Sequence, residues 1–295
     1  MIDALIQEGW SYHDSKPEQL AGELEGIAGD VGDAQLIAFL NLSNHTIGDH
    51  LGDWERARSI AEKVVSNTPK KALNSRVGSF LAVARFMGGD PPGAQQAELL
   101  GVDASDSDAL YALLDTKMLI SKALVFSDRF EEGCGLYRSV MDVISQIEDA
   151  MPVDRSFAIT SNNIATELLG KSERNESVSD LMRMSARQSL RFWKKCGTWE
   201  NEERGLYLLA QVENELQQYD EAIAYVDQAL AILSRNGGEP VDEAFIRLAA
   251  AQAHLNLASE KNYVMELKKA DELAASWNDE ALLSWYQDER AKLVG

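Results

Sequence analysis

The sequence predicts an all-α protein. Three observations carry this: apolar residues recur at the three-and-four spacing of a helix along most of the chain, strict alternation is hard to find, and all six prolines stand where a helix can begin or must stop. No strand candidate is flanked by hairpin chemistry such as Asn-Gly or Asp-Gly.

Taken in order, Ser15, Lys16, Pro17 and Glu18 read as a capping box opening a helix whose inner face is Leu20, Leu24, Ile27 and Ala28. Thr68 before Pro69 ends one helix, and Leu73, Val77, Phe80, Leu81 and Ala84 form the face of the next. Gly88, Gly89, Asp90, Pro91, Pro92 and Gly93 then leave room for only a short helix, and a hinge or bend is expected at 88–93. Ser105 through Asp108 has the form of another cap, ahead of Leu110, Leu113, Leu114, Met118, Ile120 and Leu124. Pro152 and the run Gly237, Gly238, Glu239, Pro240 mark later boundaries, with Ile223, Val226, Leu230 and Leu233 lining the helix between. Roughly twelve to fourteen helices of about 10 to 18 residues follow from this count.

Composition narrows the function. With 45% hydrophobic residues in 295 the chain can bury a core, which excludes bulk disorder. A net charge of −20 repels phosphate backbones and anionic lipid headgroups, so neither nucleic acid nor membrane is expected as a partner. Cys134 and Cys196 have no metal or disulfide spacing around them, and Asp3 and Glu8 stand where a signal peptide would be basic. With no apolar run long enough to span a bilayer, the expected address is cytoplasmic.

Helices in pairs call for a search for a repeat. Leu206, Leu209, Ala210 and Leu216 precede a bend at Gln217 and Gln218, and Tyr219, Asp220, Glu221, Ala222, Val226, Ala229 and Leu230 follow it. Gly52, Asp53, Trp54, Glu55, Arg56, Ala57, Ala61, Val64 and Pro69 repeat the second half, and weaker copies start at Asp128 and Asn262. This pattern resembles the tetratricopeptide repeat (TPR), with small residues where paired helices approach most closely. The marker aromatics Trp54, Phe130, Tyr219 and Tyr263 are separated by one or two units of roughly 40 residues, so the resemblance is to long-helix variants: kinesin-light-chain-like repeats and the helical sensor domains of bacterial regulators. In the copy at 35–68, Asn41, Asn44, His45 and Gly48 depart from the pattern. The resemblance implies a right-handed α-α superhelix of about five to six helix pairs over 35–276, between N-terminal capping helices at 1–34 and a C-terminal capping helix at 277–295.

Enzyme chemistry has no visible carrier. The nucleophile elbow, the Walker loop, the dinucleotide fingerprint and the H-E-x-x-H motif are all missing, and adjacent acids such as Glu202 and Glu203 arise readily in a chain with 48 of them. Asp103, Asp106 and Asp108 lack the glycine and distal glutamate of a calcium loop. His45 and His50 lie near each other in sequence, yet five residues along an α-helix leave them about 140° apart, so no metal site and no cofactor are expected.

Two surfaces suggest binding. Arg183, Arg187, Arg191 and Lys195 stand four apart and make a basic ridge on one helix face, suited to an acidic segment of a partner or to acids of the next repeat such as Glu200, Glu202 and Glu203. The TPR resemblance implies a concave groove faced by Arg204, Tyr207, Gln211 and Asn214, with Lys122 and Asn163 in neighbouring copies, gripping an extended peptide. The paired lysines and asparagines of a carboxylate clamp are not found. The expected function is a non-enzymatic protein-interaction scaffold. Alternatives are a ligand- or peptide-sensing regulatory module and, behind it, an α-helical enzyme. Trp10, Trp277 and Trp285 leave self-association open.

Overall fold

The computed structural model describes residues 2–103, 105–106, 108–147 and 149–293, and every regular element among them is helical. Fifteen α-helices, one more than the upper expectation, fall into two compact units, Met1–Val153 and Asp154–Gly295.

The first unit contains α1 (Ile2–Gly9), α2 (Pro17–Ile27), α3 (Leu36–Ser43), α4 (Trp54–Asn67), α5 (Ser75–Met87), α6 (Pro91–Glu98), α7 (Ala109–Val125) and α8 (Phe130–Ile144). α5 packs on α6 and α7 on α8, while α5 also touches α3, α4 and α7. Leu24, Phe39, Ile47, Phe80 and Leu124 lie in one buried cluster running from α1 to α7. The glycine-rich stretch does leave a short helix, the eight residues of α6.

The second unit contains α9 (Asp154–Leu169), α10 (Glu176–Cys196), α11 (Trp199–Glu215), α12 (Tyr219–Asn236), α13 (Pro240–Asn256), α14 (Glu260–Ala274) and α15 (Glu280–Ala291). These pack in sequential pairs, α9 with α10, α11 with α12 and α13 with α14, and the first helices α9, α11 and α13 also touch in turn. Ala210, Ala222 and Ala229 are fully buried in the unit where α11 packs on α12. Tyr286 of α15 closes the far end against Phe245 and Ala274.

Helix starts follow local chemistry, with two corrections. Asp53, Asn74, Asp90 and Asn175 each accept a backbone N–H of the first turn, from Arg56, Val77, Gly93 and Val178. Ser15 forms no capping box: its hydroxyl donates back to the Tyr12 carbonyl, and Pro17 alone sets the start of α2. Ser105 likewise turns to Asp103, and Asp108 precedes α7 without a side-chain cap. The capping box that does form pairs Thr198 with Asn201.

The bend within several pairs is one left-handed residue: Gly52, Gly89, Gln217 and Ala258 have φ of 67°, 86°, 59° and 55°. After the last three of them the next N–H returns to a carbonyl five residues back, at Arg85, Glu213 and His254, tying off the helix end.

The segment that departs from the repeat pattern is unusual in its backbone. After α3 the chain widens into a π-helix, Asn44–His50. Gly48 lies against the Trp54 indole, where a Cβ would overlap the ring. In a π-helix residues five apart stack, unlike those of an α-helix, so His45 and His50 face each other with their Nε2 atoms 3.2 Å apart. The expectation that they diverge is thereby corrected. Asn44 of this segment is buried and donates from Nδ2 to the Phe80 carbonyl of α5 (2.9 Å), and Asn214 of α11 does the same to Ala249 of α13 (2.8 Å). Each amide joins the first helix of one pair to the first helix of the next. No helix among the described residues is long and apolar enough to cross a membrane.

Candidate functional site

In the second unit α11, α13 and α15 enclose a groove of about 260 Å³, lined by Tyr207, Gln211, Phe245, Gln252, Glu289 and Lys292 among others. Tyr207 and Gln211 are a helical turn apart on α11, and the Gln211 amide donates to the Tyr207 hydroxyl (3.1 Å). Burial, then the charge of Glu289, pushes the Tyr207 phenol above its ordinary range, so it stays protonated and can still donate. The groove thus offers an aromatic face beside a hydroxyl and the carboxamides of Gln211, Gln252 and Asn256, a mixture suited to a peptide backbone with an apolar side chain.

The other expected groove residues are placed differently. Asn214 is buried and spends its amide on Ala249, so it supports the floor of the stack instead of facing a ligand. Arg204 is 62% exposed and pairs with Asp242 at 3.0 Å. Asn163 is half-buried on α9 and makes no side-chain hydrogen bond among the described residues. Lys122 belongs to the first unit, where its Nζ lies 2.6 Å from Asp49. The α13 side, Phe245 and Gln252, is not singled out by the sequence; the helix-pair period that seats α13 beside α11 is the signal that points to it.

The basic ridge runs along α10, and its first half is satisfied internally. Arg183 reaches Glu213 of α11 with Nη2 at 2.8 Å, and Arg187 reaches the same carboxylate at 3.3 Å. The acid that neutralises the ridge is Glu213, while Glu202 takes Lys194 (3.5 Å). Arg191 donates to the Gln188 amide oxygen on its own helix and lies over Phe192, and Lys195 is half-buried. Arg187 is 55% exposed, so two guanidinium groups on one buried carboxylate leave positive charge open to solvent.

Glu203 is fully buried on α11, with its carboxyl in hydrogen-bond contact with the Asp242 carboxylate. Burial, then the neighbouring Asp242 charge, pushes it up to about 8, which favours its protonated form.

No known protein family matches the chain, and no curated protein is similar to it in sequence.

Proposed function

We propose that this chain is a non-enzymatic protein-interaction scaffold: a TPR-like right-handed solenoid of helix pairs whose groove along the first helices receives an extended peptide. The observation that carries this is the groove between α11 and α13, where Tyr207, Gln211, Phe245 and Gln252 combine an aromatic anchor with backbone-pairing amides. The repeated bend at a left-handed residue, the side-by-side first helices and the matching roles of Asn44 and Asn214 support the repeat reading. Arg187 and Arg191 on α10 favour a partner with an acidic segment, attracted to this basic stripe in a chain of net charge −20.

The test is a pull-down from native lysate at physiological salt. Wild type is compared with Tyr207→Ala/Gln211→Ala and with Arg187→Glu/Arg191→Glu, each shown to be folded by circular dichroism. One stoichiometric protein partner lost with the groove variant is expected. A partner kept by both variants, or a small molecule in place of a protein, overturns the reading.

A further inference from the structure

The geometry points to a metal site that the scaffold reading does not use: His13, His45 and His50 bind one divalent ion of the zinc class. Their candidate ligand nitrogens all lie within 4.8 Å of one another. The His45 and His50 Nε2 atoms are already 3.2 Å apart. Tetrahedral zinc with bonds of about 2.0–2.1 Å holds its nitrogens roughly 3.3 Å apart, so this pair is set for the ion. The third ring, His13, stands in the turn between α1 and α2, where a small swing closes the remaining gap.

The far side of each of two rings is held as ligand histidines are held. His45 Nδ1 is 3.0 Å from the Asp49 carboxylate, and His13 Nδ1 is 2.9 Å from the Trp10 carbonyl. Carboxylate and carbonyl oxygens only accept, so both Nδ1 atoms carry the proton and both Nε2 atoms hold a lone pair; that of His45 accepts from His50 Nε2–H, a proton that an incoming cation would replace as His50 shifts its proton to Nδ1. Asp49 is itself fixed, since Lys122 Nζ donates to the same oxygen at 2.6 Å. Trp10 stacks on His45, with centroids 5.3 Å apart and planes at 29°, which sets the tilt of that ring.

The local backbone brings the rings together. A seven-residue π-helix is a rare conformation, and here its wider turn is what brings residues 45 and 50 to one face. His50 is exposed, so an ion can enter from solvent and keep a water as a further ligand. Three imidazoles without a ligating carboxylate select zinc, cobalt, nickel or copper over magnesium and calcium. The ion would staple the turn at 10–16 to the π-helix, joining two segments that no backbone ladder connects.

The experiment uses the full chain without an affinity tag, stripped with EDTA and titrated with Co²⁺ under visible absorption, then with Zn²⁺ by calorimetry. One equivalent of Co²⁺ giving tetrahedral-type bands, displaced by Zn²⁺, is expected. His50→Ala, whose exposed ring is not needed for packing, and His13→Ala should each weaken Zn²⁺ binding at least about tenfold. His254→Ala, in the other unit, should leave it unchanged, and thermal melts confirm that each variant is folded. Failure to bind one saturable equivalent overturns the site, as does binding that survives both His13→Ala and His50→Ala, since the ion would then sit on surface carboxylates.

Discussion

Arg183 closes on Glu213 across the α10–α11 junction with its Nε 3.0 Å from both carboxylate oxygens, and the carboxylate is only 1% exposed. A bidentate pair of this kind fixes register between consecutive helix pairs as well as neutralising a buried charge. Because Glu213 sits under α10, it cannot turn to water if Arg183 is removed, and only the longer contact with Arg187 remains among the described residues.

Arg183→Ala should therefore cost about 1–3 kcal/mol, less than a buried charge left wholly unpaired, because Arg187 still reaches Glu213. Arg183→Ala/Glu213→Ala should cost less than the two single changes together, with a coupling of about 1–3 kcal/mol. Urea unfolding of the four proteins measures this. Additive costs would mean that the pair does not hold the junction.

Glu203 makes stability depend on pH in the opposite sense to a paired carboxylate. Its unfolded value is 4.5 and its folded value about 8, so between them the unfolded chain has lost a proton that the folded chain keeps. This group's contribution is largest below about pH 4.5, falls as pH rises through the window and levels off above about pH 8. Asp242, Arg204 and Glu239 are the charges around it. Glu203→Gln should flatten this slope and raise the unfolding midpoint at about pH 8.5 relative to wild type. Urea midpoints across the range check it.

Gly48→Ala is expected to destabilise the first unit by about 2 kcal/mol, since its methyl group would overlap the Trp54 ring and force the π-helix or the indole to move. The loss should appear in thermal melts together with a change in tryptophan fluorescence. An unchanged melting point would show that the contact has slack.

A stabilising change is expected at Ala258. Its φ of 55° puts a side chain in the left-handed region, where a residue with a Cβ costs about 1–2 kcal/mol relative to glycine. Gly52 and Gly89 already occupy the matching bends. Ala258→Gly should gain up to about 1 kcal/mol after the entropy of a more flexible unfolded chain is deducted. Chemical denaturation detects a gain of this size.

Much of the architecture was legible because its causes are local. The spacing of Leu73, Val77, Phe80 and Leu81 reports a helix face directly, and the buried positions of those last three in α5 match it. Pro91 and Pro240 start α6 and α13 because a proline at the first turn gives up a hydrogen bond that is unmade there anyway. Of the groove, Tyr207 and Gln211 could be placed from the helix-pair pattern, while Asn214 could not. One turn along the same helix, it meets the Ala249 carbonyl of α13 and is drawn into the core.

The sequence by itself determined the all-α class, the pairing of helices and most of their boundaries, since periodicity and proline act within a few residues. Tertiary structure alone decided which of 48 acids meets Arg183, and that the helix after Ser43 widens into a π-turn under Trp54. The physical reason is the same in both cases. Ion pairing and helix winding among near-equal local options are settled by the neighbour that packs against them, and that neighbour is remote in sequence. The convergence of His13, His45 and His50 depends on that choice, so α-helical spacing argued against it.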